Sequence, residues 1–142
     1  MRVGMLQLYF LSIVLNITSG CALASDYLAD RSTVFTNMRD FFKASHVLKI
    51  TLAVLTFIVG FFKFISVTKG DTPVVGDFFP AICGLIGGTT LFLDYYRESS
   101  TSFNSQFVET LNRVFLDHKS IVGIGSIIIG LLHFIFPQAI FL

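Results

Sequence analysis

Three long apolar runs organise the chain, at 47–67, 78–96 and 120–136. More polar stretches separate them. A membrane-spanning helix needs about 20 predominantly apolar residues. The middle run, Phe78–Tyr96, would measure about 28 Å as a helix, close to the hydrocarbon thickness of a bilayer. It opens near Asp77 and Pro80, a plausible N-cap and a first-turn proline. Gly84, Gly87 and Gly88 lie inside it and would let another helix approach closely. The run therefore reads as a central helix with two others packed around it. The flanking runs carry small-residue pairs of the same kind, Thr56 with Gly60 and Ser126 with Gly130.

The intervening stretches differ in kind. Residues 68–76, TKGDTPVVG, are rich in turn formers and short, so the first two spans should be antiparallel neighbours. Residues 28–45 and 101–117 instead place apolar side chains at helical spacing among charges. Leu28, Phe35, Met38, Phe41 and Phe42 form one such face, and Phe103, Phe107, Val108, Leu111, Val114 and Phe115 the other. Both predict amphipathic helices lying at the membrane surface or against the bundle.

The first 24 residues have the grammar of a secretory signal. Arg2 precedes an apolar core from Val3 to Leu15, the stretch Asn16–Gly20 should break the helix, and Ala22-Leu23-Ala24 offers a cleavage site. The expected organisation is a signal peptide at 1–24 and a single membrane domain at 25–142. Two alternatives stay open. The leader is an uncleaved first span reaching Leu23, or Ser19-Gly20-Cys21 marks a lipoprotein signal with Cys21 acylated. The sequon Asn16-Ile17-Thr18 falls inside the leader and is read as chance.

Composition agrees with the pattern. Charged residues are only 13% of the chain and hydrophobic residues 54%, with a mean hydropathy of +0.77. Soluble proteins carry about 25% charged residues. The net charge of +1 gives no basic surface for nucleic acid. There is no Trp, so Tyr95 and Tyr96, flanked by Asp94 and Arg97, would anchor the central helix at the interface. The two cysteines form no C-x-x-C pair, and neither a metal nor a cofactor is expected.

A weak repeat appears at an offset of 70 residues. Thr56–Ile65 aligns with Ser126–Ile135, and Lys49 with Lys119. One span lies between the two copies, so they should run in the same direction, with both amphipathic helices on one side of the membrane. Orientation is contested. A signal peptide would put those helices outside the cytoplasm, the favoured topology. Charge counting favours the cytoplasm, because Arg31, Arg39, Lys43, Lys49, Arg97, Arg113 and Lys119 share that side against Lys63 and Lys69 on the other.

No catalytic motif is visible. One polar cluster can be assembled at the opposite end: Lys63, Asp77 and His133 should approach the same membrane face, and ionisable groups at membrane depth tend to be paired or functional. The expected fold is an all-α integral membrane protein, with three spans and two surface helices behind a signal peptide or fourth span. The expected function is a non-enzymatic structural or accessory subunit of a bacterial inner membrane or another Sec-type target membrane. A small oligomeric transporter or channel component is the alternative. Its partners would be the lipid bilayer and copies of itself or other membrane subunits, not nucleic acid.

Overall fold

The computed structural model describes residues 3–65, 78–99 and 106–136, with side chains from residue 7 onward. All regular structure among them is helical: α1 (Val3–Leu28), a 3-10 turn (Ala29–Arg31), α2 (Thr33–Ala44), α3 (His46–Ile65), α4 (Phe78–Ser99), α5 (Gln106–Phe115) and α6 (Lys119–Ile135). Among the described residues, three helical stretches are long and apolar enough to cross a membrane: residues 7–31, α3 and α4. Together α5 and α6 reach the same standard, bent by 50° where they join.

The apolar runs became helices close to their expected bounds. Pro80 sits in the first turn of α4, where a missing N–H costs little. Its expected cap, Asp77, lies outside the described residues, as do 68–76 and 101–105. The helix expected from residue 28 begins later, at Thr33, because Ser32 is extended and caps it. The Ser32 hydroxyl accepts from the Val34 amide at 3.4 Å.

The main departure is in the leader. Asn16–Gly20 does not break α1, which runs on to Leu28. Three polar side chains donate to backbone carbonyls rather than turning the chain, and Asn16 Oδ1 stays buried without a partner among the described residues. Asn16 Nδ2 donates to the Pro80 carbonyl at 3.1 Å, Ser19 Oγ to the Asn16 carbonyl at 3.3 Å, and Thr18 Oγ1 to the Val14 carbonyl at 2.7 Å. Leu23, Ala24 and Ser25, around the expected cleavage site, are all buried.

Two tight helix pairs make the bundle, α3 with α4 and α1 with α6. As expected, α4 touches both α3 and α6, but the principal partner of α6 is α1. Contacts of α1 with α3 and α4, and of α4 with α6, close the four-helix arrangement. The pairs are tight because glycine lets backbones touch. A methyl group on Gly60 would stand 2.8 Å from the Gly84 carbonyl carbon, and one on Gly88 would stand 2.6 Å from the Phe57 amide nitrogen. In the other pair, a methyl on Gly123 would stand 2.7 Å from the Gly20 carbonyl oxygen, and one on Gly130 would press on Ile17 at 2.8 Å. Gly87 faces the hydroxyls of Ser126 and Ser19, so α4 is closely approached on more than one side.

Burial is inverted relative to a soluble bundle. The buried stripe of α3 is Lys49, Ala53, Thr56, Val59, Gly60 and Lys63, while Phe57, Phe61, Phe62 and Phe64 are exposed. On α6 the buried stripe is Gly123, Ser126, Gly130 and His133, with Ile128, Leu131 and Phe134 outside. Small and polar residues inside, with large apolar residues outside, suit helices packed in lipid. Neither α2 nor α5 buries any residue.

The glycine contacts give a direct test. Gly88→Ala should destabilise the bundle by about 1–3 kcal/mol through overpacking. Gly125→Ala, where a methyl meets nothing within 4 Å, should leave it unchanged or slightly more stable. Unfolding in mixed micelles, followed by circular dichroism, separates the two.

Candidate functional site

The ends of the bundle hold two different polar clusters. At the end where α1 and α4 finish and α3 and α6 begin, lysines and carboxylates alternate in an unbroken chain. Lys43 Nζ lies 3.1 Å from Asp26 Oδ1, and Asp26 Oδ2 is 2.7 Å from Lys119 Nζ. Lys119 also reaches Asp94 Oδ1 at 3.1 Å. The other Asp94 oxygen pairs with Lys49, which also meets Glu98 Oε2 at 2.9 Å. The chain thus links α2, α1, α6, α4 and α3. Each cation faces an anion, so the cluster is formally neutral.

Its members differ in burial. Lys49 is only 4% exposed and Asp94 is largely covered, whereas Lys43 is more than half exposed. A charge removed from water needs a partner of opposite sign. Asp94 supplies it for both Lys49 and Lys119. A lysine near the start of a span can reach out to the headgroups, but the Lys49 ammonium is held inside the bundle instead. Of the expected anchor residues, Asp94 belongs to this cluster, Tyr95 and Tyr96 are half-buried, and Arg97 is exposed. The Tyr95 ring lies edge-on to His46, with centroids 6.3 Å apart.

At the opposite end, α3 and α6 deliver Lys63 and His133 to each other. Lys63 Nζ is 3.0 Å from His133 Nε2, with Lys63 7% and His133 1% exposed. From the start of α1, the Tyr9 hydroxyl donates to the His133 carbonyl at 2.6 Å. The Tyr9 and His133 rings lie 4.6 Å apart, and Lys63 Nζ stands 5.3 Å from the Tyr9 ring centroid. Two of the three expected residues therefore meet, and Asp77 falls outside the described residues. Tyr9 was hidden because it sits in the apolar core of the leader. Its polar hydroxyl was the available clue, since a buried tyrosine usually finds an acceptor.

Between the two ends the interior carries Ser12, Asn16, Ser19, Thr56, Thr90 and Ser126, all buried. Cys21 and Cys83 are free thiols. Among the described residues, no three His, Cys, Asp or Glu side chains gather as metal ligands. An apolar groove of about 360 Å³ runs outside the core between α3 and α4, lined by Ala53, Val54, Phe57, Gly88, Thr89 and Phe92.

The sequence profile of one protein family matches residues 5–133, from the first turns of α1 to the buried histidine of α6. The chain belongs to that family. The matched range takes in α1 from residue 5, both tight helix pairs and both polar clusters. No curated protein and no solved structure matches the chain.

The two ion pairs of unequal burial should differ in weight. Lys49→Met leaves a largely covered carboxylate with one cation fewer and should cost about 3–5 kcal/mol. Lys43→Met breaks an exposed pair and should cost no more than about 1 kcal/mol. Denaturant titration of the two variants in detergent measures both.

Proposed function

We propose that this is a multi-pass membrane protein acting as a structural or accessory subunit, with α1 retained as the first of four spans. The supporting observation is the sealed interior. Backbone contacts at glycine close both tight pairs, and the charges at one end are mutually neutralised. Such a core suits a rigid fixture better than a carrier that must open around its cargo.

Retention of α1 rests on its packing. Cleavage after Ala24 would strip α6 of its main neighbour and remove Tyr9, Asn16 and Gly20 from their partners. Acylation of Cys21 after cleavage would also remove the part of α1 that receives Gly130. A retained α1 leaves positive charge to decide orientation. We place α2 and α5 on the cytoplasmic side as amphipathic helices on the membrane surface, with the 66–77 connection outside. Exposed Val34 and Phe41 on α2 and Phe107 on α5 would enter the lipid interface. The membrane is a bacterial inner membrane or another Sec-type target.

A second reading, a small oligomeric transporter or channel component, draws on the line of buried hydroxyl and amide groups between the two polar ends. Purification in mild detergent separates the readings. The accessory role predicts unlike membrane proteins co-purifying and no flux after reconstitution into liposomes. A defined homo-oligomer with measurable flux would favour the second reading. The orientation has its own test. With Cys21 and Cys83 changed to serine, Thr72→Cys should react with an impermeant maleimide added outside intact cells; labelling only after lysis would reverse the topology.

A further inference from the structure

The repeat seen in α3 and α6 has a counterpart in the other two long helices. At an offset of 68 residues, α1 overlays α4 with identities at Phe10 and Phe78, Gly20 and Gly88, Leu23 and Leu91, Asp26 and Asp94, and Tyr27 and Tyr95. At an offset of 70, α3 overlays α6 with Lys49 on Lys119, Gly60 on Gly130, Phe64 on Phe134 and Ile65 on Ile135. The two offsets differ by two residues, which the stretch between α4 and α6 absorbs.

The contacts obey the same correspondence. Lys49 pairs with Asp94, and its counterpart Lys119 pairs with Asp26, the counterpart of Asp94. A methyl on Gly88 meets the backbone of Ala53 and Phe57, and one on Gly20 meets that of their counterparts Gly123 and Ile127. Equivalent residues also meet each other: Lys63 with His133, and Gly87 with Ser19. Such self-contacts occur only on a two-fold axis. Because α1 and α4 run in the same direction, that axis lies along the bundle, as in parallel repeats.

We infer that the chain is an internal dimer: two three-helix units, α1–α3 and α4–α6, of common origin, each presenting to the other the same glycine-lined surface. The first helix of each unit packs tightly on the last helix of the other unit, and less closely on its own. Neither unit can bury its small-residue stripes alone. The ancestral partner for this surface is a second copy of the same three-helix unit. Dimerisation through glycine faces preceded the fusion that now joins the units through residues 66–77.

Circular permutation of the full chain tests this. One permutant starts at Phe78 and a second at His46, both with residues 66–77 copied between Phe136 and Val3. The join is short in each, since Tyr9 already contacts His133. Starting at Phe78 puts α4 in the place of its equivalent, α1, so insertion keeps its direction; starting at His46 puts a helix of opposite direction first. The first permutant should reach membranes within about twofold of the parent, and the second should fall about tenfold, because the leading helix commonly sets orientation. Equal behaviour of the two, or loss of the first, overturns the inference. A second measurement needs no permutation. Gly20→Leu and Gly88→Leu should lower the yield of folded protein by the same factor, within about twofold; a disparity of about tenfold between these equivalent sites also overturns it.

Discussion

Gly60 lies against Gly84, and Gly20 against Gly123, so closely that no side chain fits between the helices. This backbone contact sets the spacing of both tight pairs, and the rest of the bundle follows from it. In lipid there is no hydrophobic drive for one apolar helix to leave the tails for another. Packing and buried polar contacts must supply the association. Close approach increases dispersion contacts and brings side chains from facing helices within hydrogen-bonding reach. Lys63 reaches His133, and Asn16 reaches the carbonyl of Pro80, within a core of this width.

The charged chain at the other end does a different job. Glycine seams hold helices in pairs, whereas Lys119 ties one pair to the other through Asp94. Moving such charges out of water is costly, so their value lies less in net stability than in register. A helix that slides by one turn would leave at least one buried charge without its partner. The outer surface imposes no comparable demand. The exposed phenylalanines of α3 and α6 would tolerate many packings, which leaves the specificity to the core.

Much of this was legible from the residues. The apolar runs gave α3, α4 and α6, because length and hydropathy are local properties. Thr56, Gly60, Ser126 and Gly130 could be picked out as packing positions from their spacing alone, and Lys63 and His133 from their matching depth. What α6 packs against was not legible. A leader with Arg2, an apolar core and Ala22-Leu23-Ala24 reads the same whether it is discarded or retained. The difference appears only when Asn16 and Gly20 are seen to meet α4 and α6. The ionic chain was obscured for a related reason. Asp26 and Lys119 lie 93 positions apart, and a lysine near a helix end resembles one that snorkels.

Retention of α1 in the mature bundle is the proposal on which most rests, since α1 supplies one side of the α1–α6 glycine seam and contributes Tyr9 and Asp26 to the two polar clusters. The intact mass of the protein isolated from membranes tests it most directly. The account predicts a species that retains residues 1–24, close to the 15.8 kDa of the whole chain. A mature protein beginning at Ser25, or at an acylated Cys21, would contradict it.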